Sequence, residues 1–399
     1  MIKTEKTPLS FLIILSGFMA FTSLSTDIYL PAMPAMQKTL GGRVELTVTG
    51  FLIGFAIAQL IWGPISDRIG RIKPLVIGTL LFVIGSIGCA LSTSMTMIVF
   101  WRVFQALGAC TGPMISRAMI RDRYDSQRGV QMLSTLMMIM AVAPILGPLL
   151  GGIFLRFSTW NLIFWFMALV GVMLFLSTRL LPETLPVAER SHASLTQSFK
   201  NYAKLLASKK FMIYTMSVTF FYVAAYAFVT GSSDIYMNFY HVPAESYSLL
   251  FGVNIVGVSL MSMVNRQFVS HFSLPKLLAI STSLAFLFTL VLAFMGVTNV
   301  LGLWGIVVPM FCFFSMNGIV AACSNAAALN AVPSDMAGSA AAILGALQYG
   351  SGVIPSILLA VFADKTPATM TIIIAGAIFL SALMGWWGYR EDVFPKLFD

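Results

Sequence analysis

Twelve apolar runs follow one another along this chain, each close to the length that crosses a bilayer. They cover 9–30, 44–63, 74–92, 97–117, 132–153, 160–181, 211–231, 246–265, 275–296, 301–325, 338–362 and 367–389. A span needs roughly 20 mostly apolar residues. Inside hydrocarbon the backbone must satisfy its own hydrogen bonds, so runs of this length have to be helices. The expected class is therefore an all-α membrane protein with twelve transmembrane helices. A soluble fold is excluded by composition: 58% of residues are hydrophobic and only 10% charged, against roughly 25% charged in a soluble domain.

The one long polar stretch, PETLPVAERSHASLTQSFKNYAKLLASKK at 182–210, divides the runs into six and six. This predicts a six-helix half at 1–181, a connecting loop at 182–210 and a second six-helix half at 211–399. Two such halves around a midplane site are a common plan for secondary transporters, which work by rocking one half against the other. Basic residues orient the chain. Nineteen fall on the side of the termini and only four, Lys38, Arg43, Arg156 and Lys365, on the other. Arg102, inside a span, completes the total of 24. The positive-inside rule thus puts both termini and the 182–210 connection in the cytoplasm. The net charge of +9 is accounted for by this asymmetry and does not call for a nucleic-acid partner. The first run leads into Pro31 and Pro34 rather than a small-residue cleavage site, so no cleavable signal peptide is expected.

Four cysteines, Cys89, Cys110, Cys312 and Cys323, lie in apolar runs without metal-ligand spacing and read as packing residues. His192, His241 and His271 fall in predicted loops with no nucleophile or metal constellation around them. The phosphate-loop pattern GxxxxGK[ST] is also missing. Neither an enzyme nor an ATP motor is indicated, and no cofactor is expected.

Three stretches carry a mechanism. GPISDRIGRIKP, Gly63 to Pro74, reads as a short cytoplasmic loop between spans two and three. Gly63 and Gly70 permit tight turns or close helix approach there, and Asp67 can cap a helix or pair with Arg68 or Arg71. In FWRVFQALGAC, Arg102 sits inside span four with Gln105 one turn on. A buried Arg costs roughly 2.5–3.5 kcal/mol on insertion scales, so it faces a cavity or partner, or else snorkels outward. In STLMMIMAVAPILGPLLGG of span five, Pro144, Gly147, Pro148, Gly151 and Gly152 allow close helix packing and a bend.

Together these stretches resemble the major facilitator superfamily. G-x-x-x-D-R-x-G-R is similar to its signature loop, which implies a conformational latch at Gly63, Asp67, Arg68, Gly70 and Arg71. Arg102 and Gln105 resemble a motif tied to proton coupling, with Ala106 where glycine is usual. The span-five pattern resembles the antiporter motif, with Ser134 and Ala143 at two positions that are usually glycine. TDIYLPAMP, RDRY after span four, A-P-x-x-G-P and MAGSAAAILGALQYG resemble the bicyclomycin-resistance branch of drug:proton antiporters. The resemblance implies the major facilitator fold.

Few polar groups lie within the spans, and Asp27 is the only acid well inside one. Burial raises a carboxyl pKa and a nearby Arg lowers it. Asp27 with Arg102 is therefore the expected proton-coupling pair, and an acidic position in the family's first span implies the same. The competing reading places Asp27 at a solvated outer mouth, close before Pro31. Tyr29, Gln59, Gln105, Tyr222, Tyr226, Asn254 and Gln348 are the candidate substrate contacts, though buried amides also serve simply to join helices. Asp234, at the outer end of span seven, reads as a solvated loop acid or as an attraction point for cationic cargo. The expected function is export of small amphipathic compounds in exchange for protons, by a monomer in the cytoplasmic membrane of a bacterium. Export of a metabolite such as a nucleoside, amino acid or siderophore is the alternative.

Overall fold

The computed structural model describes residues 9–124, 126–190, 195–333, 336–362 and 366–393. Eleven helices in it are long and apolar enough to cross a membrane: α1 (Leu9–Leu40), α2 (Leu46–Ile69), α3 (Ile72–Ala90), α4 (Met95–Arg123), α6 (Asn161–Leu180), α7 (Lys209–Phe239), α8 (Ala244–Phe268), α9 (Leu274–Thr298), α10 (Gly302–Asn330), α11 (Ala337–Val361) and α12 (Pro367–Val393). The twelfth, α5 (Ser126–Phe157), holds a shorter apolar segment, Val142–Phe157. The chain is a multi-pass membrane protein with two six-helix halves.

Pairings in the first half recur six helices later. α2 packs on α4 as α8 does on α10, and α3 on α6 as α9 does on α12. α4 and α10 even break at matching places, Cys110 and Met316. The halves meet along two seams, α2 with α11 and α5 with α8. The face carrying the turn at Arg71 is here termed the basic face, and its opposite the far face.

Prolines inside the helices explain several contacts between them. A proline has no N–H, so the carbonyl four residues earlier loses its helical partner. Pro113 frees the carbonyl of Ala109, and the Thr22 hydroxyl of α1 donates to it at 2.8 Å. Pro64, within α2, frees the carbonyl of Leu60. The phenol of Tyr202 donates to that oxygen at 3.0 Å. Tyr202 belongs to a helix in the connecting segment, Leu195–Ala207, which packs on α2, α7 and α11 and so touches both halves. The polar composition of 182–210 conceals this helix; its signal is Tyr202 and Leu205 spaced for one buried face.

Two expectations need correction. The stretch 63–74 is not a loop, because α2 runs to Ile69 and α3 starts at Ile72, leaving a two-residue turn. Gly70 makes the turn with φ +95, a left-handed conformation that glycine adopts without steric cost. Gly63 supplies neither turn nor close approach, since a Cβ there would meet nothing. Nor do Pro31 and Pro34 end the first span. Proline's fixed φ suits the first turn of a helix, and the chain passes through a short 3-10 turn at Leu30–Ala32 into a helix that reaches Leu40.

Candidate functional site

That extension places Asp27 away from the mouth. It is 8% exposed and lies beside α5, where a Cβ on Gly147 would come within 3.2 Å of its own. Gly151 lets the carbonyl of Ile28 approach so closely that a methyl there would overlap it. The glycines of α5 therefore hold α1 at the acid itself. The turn that follows it, Leu30–Ala32, packs on α7 and α8 of the second half, which puts the acid near the border between halves. Among the described residues its carboxylate has no recorded hydrogen bond or ion pair.

Arg102 is fully buried and does not snorkel. Its guanidinium lies between the faces of Tyr29 and Phe51, 4.3 Å from each ring centre. Cation–π contacts of this kind are worth about 2 kcal/mol each when desolvated. Nη1 donates to the Ser25 carbonyl at 3.1 Å and to Gln105 Oε1 at 2.6 Å. Gln105 Nε2 in turn donates to Ser86 at 2.8 Å. Among the described residues Nε and Nη2 have no acceptor, an expensive omission for a buried cation. Arg102 and Asp27 are not ion-paired here. Tyr29 and Gln105 are fully buried around Arg102, and the Tyr29 hydroxyl meets Thr47 at 3.2 Å.

Across the α2–α11 seam the rings of Phe55 and Tyr349 lie tilted against each other, their centres 4.2 Å apart. Tyr226 lies 6.3 Å from Tyr349, and Tyr222 6.1 Å from Tyr226. Gln59 packs on Gly345 of the same seam, while Gln348 donates to Asn325 at 2.6 Å. Asn254 donates to carbonyls of its own helix, those of Leu250 and Phe251. Asp234 begins a π-helical turn, Asp234–Phe239, and accepts from Asn238.

On the basic face Arg71 gathers the latch. It donates to Asp67 at 2.6 Å, to Asp122 at 2.7 Å and to Ser66 at 2.8 Å. Burial alone would lower its pKa, but the hydrogen bonds to Asp122 and Asp67 outweigh that and hold it above the ordinary value. Glu183 caps the start of α3, accepting from the backbone N–H of Arg71 at 2.9 Å and of Ile72 at 3.2 Å. Arg68, expected in the same latch, is exposed and stands outside the network.

On the far face the two halves touch. Ser248 of α8 donates to the Pro148 carbonyl of α5 at 2.8 Å, Ser233 reaches the sulfur of Met33 at 3.6 Å, and Arg156 pairs with Glu245. That ion pair joins the halves; the others recorded among the described residues do not. In α5, Gly152 faces Ser248 and Ala244 of α8, Ala143 is buried, Pro144 is half-buried, and the side chain of Ser134 lies outside the described residues, as does His192.

The profile of the Major Facilitator Superfamily matches residues 13–356. The chain belongs to the major facilitator superfamily. An MFS-type transporter of Bacillus subtilis, YdgK, is 35% identical over 96% of this chain and 94% of its own length. A bicyclomycin resistance protein homolog of Haemophilus influenzae is 27% identical, covering 95% and 96%. Multidrug resistance protein D of Escherichia coli is 28% identical over 87% of each chain. Among solved structures, a D-xylose-proton symporter superposes with TM-score 0.76 over 94% of this chain and 97% of its own, at 14% identity. The nucleoside transporter NupG gives 0.77 over 96% and 100%, also at 14%; both likenesses speak for the fold alone. The chain is thus a transporter and not an enzyme. Sequence reading of this facilitator missed Glu183, Asp122, Phe55, Tyr247 and Tyr349. The acids were recoverable from PET and RDRY, which end helices next to the signature stretch. The rings were not, because aromatic residues are common on every helix.

Proposed function

We propose that this facilitator is a proton-coupled antiporter exporting small amphipathic compounds across the bacterial cytoplasmic membrane. On this reading the basic face and both termini are cytoplasmic, and the segment 182–210 links halves at 1–181 and 211–399. The observation that carries the reading is Asp27: a buried carboxylate without a bond among the described residues, packed beside Gly147 of α5 and just before the Leu30–Ala32 turn that meets α7 and α8 of the other half. The names of the Haemophilus and Escherichia relatives favour drug cargo. Among the described residues Arg102 keeps two donor nitrogens, Nε and Nη2, without acceptors, and these are the groups that would meet an ionised Asp27 in another state. Tyr222, Tyr226, Tyr349 and Phe55 offer aromatic faces for varied cargo, with Gln59 and Gln348 at the same seam. Rocking opens the far face by parting Arg156 from Glu245, and the Arg71 cluster holds the basic-face ends of α2 and α4 together. The transporter works as a monomer, with protons as the coupling ion.

The test uses inside-out vesicles with an acidic lumen. Adding an amphipathic drug raises the lumenal pH in exchange for inward drug movement. Lumenal acidification would indicate a symporter and overturn the reading. A further outcome concerns the far face. Arg156→Glu sets two acids against each other, so an impermeant thiol reagent applied from that side labels Ser248→Cys faster. The reversed pair, Arg156→Glu with Glu245→Arg, returns labelling toward its starting rate. Labelling unaffected by either change would remove the pair from the gate.

A further inference from the structure

The connecting helix Leu195–Ala207 has more apolar surface than its seat uses. Tyr202 and Leu205 are buried against the bundle, at 6% and 2% exposure. On another face Phe199 and Leu206 remain 55% and 50% exposed, with exposed Ala203 between them. The spacing 199, 203 and 206 puts these three side chains in one stripe. Lys200 and Lys204, both exposed and one turn apart, border that stripe. Lys209 and Lys210 follow at once, and no acidic residue occurs from 195 to 210. Neither Lys200, Lys204 nor Lys210 is ion-paired among the described residues. Only Ser208 separates this helix from α7, a membrane span, so it ends at the level where the bilayer begins.

We infer that this face is a binding site for anionic phospholipid of the adjoining leaflet. The acyl chains cover Phe199, Ala203 and Leu206, and the headgroup phosphate sits on Lys200 and Lys204. An apolar stripe edged by lysines is the pattern by which a helix lies in the interfacial plane. The uniform positive charge selects an anionic headgroup over a zwitterionic one. A soluble protein partner would have to cover lysines that have no acid of their own chain to neutralise them. Because the opposite face of the helix is seated on α2 and α11, one from each half, lipid held here bears on both halves together. The site does not depend on which compound is transported.

Full-length protein carrying an environment-sensitive fluorophore at Ala203→Cys is reconstituted in lipid discs. The discs contain phosphatidylcholine alone or mixed with phosphatidylglycerol, with brominated acyl chains as quencher. Bromolipid is expected to quench the label, and brominated phosphatidylglycerol more strongly than brominated phosphatidylcholine. Each lysine contributes roughly fivefold to that preference. K200Q/K204Q, whose changes are confined to exposed side chains, therefore loses roughly 25-fold of the preference while quenching itself persists. Phe199→Ser with Leu206→Ser weakens quenching by either lipid. Iodide reaching the label freely, with no bromolipid quenching, would overturn the inference and leave the face to solvent or a soluble partner. Equal quenching by the two lipids in the unmodified helix would overturn its anionic selectivity.

Discussion

Asp27→Asn is expected to uncouple transport while leaving the fold intact. The amide has the shape of the protonated carboxyl but cannot release a proton. Asp27 has no hydrogen bond or ion pair among the described residues that the change would break, and Gly147 of α5 packs beside its Cβ rather than on its carboxylate. Downhill exchange of cargo therefore continues, whereas drug-evoked proton movement falls to the level of vesicles without protein. One proton crossing the full potential supplies about 2.3 kcal/mol per 100 mV. For one-to-one exchange of a neutral drug, losing it lowers the steady-state gradient by about 50-fold for each ~100 mV. Proton release equal to that of the unmodified protein would transfer the coupling role elsewhere. In that case Asp27 would serve only to shape the border between halves.

The sequence places this acid in a span but not at its depth. An apolar run ending in Pro31 and Pro34 looks like a helix reaching its end, because proline usually punctuates. Here each proline stands where a helical segment restarts, and the chain continues to Leu40. The twelve spans were legible because hydrocarbon forces a length and a composition on each of them. Arg71 was legible for a related reason: charge concentrated at a turn between two spans has few partners to choose from. Asp67, four residues away, is such a partner, but Asp122 and Glu183 come from helix ends far along the chain. No local pattern specifies such a meeting. The same limit applies to the substrate candidates. Gln105 and Tyr29 look like free polar groups in sequence, yet both are spent on Arg102 and its surroundings. A buried cation recruits its neighbours before any cargo does, and only the packing of α1 against α4 reveals which neighbours those are.

The glycines of α5 give the other large expected effect, and they should not behave alike. Gly151→Ala would drive a methyl into the carbonyl oxygen of Ile28, a backbone atom that moves only if α1 moves. Overpacking of this kind costs roughly 1–3 kcal/mol, and the displaced segment includes Asp27. Thermal stability in detergent and proton-coupled transport should therefore fall together. Gly147→Ala is milder. Its methyl meets Asp27 Cβ and Ile28 N at 3.2 Å, so a shift of a few tenths of an ångström accommodates it, and coupling changes more than stability does. At Gly152 the nearest atom is Ser248 Oγ at 3.5 Å, which is ordinary contact. There alanine's better helix propensity, up to about 1 kcal/mol over glycine, makes Gly152→Ala neutral or slightly stabilising. Three neighbouring substitutions of the same kind thus rank as severe, intermediate and silent. A uniform loss would mean that the motif acts through the flexibility of its helix. The graded order ties it to the seat it provides for Asp27.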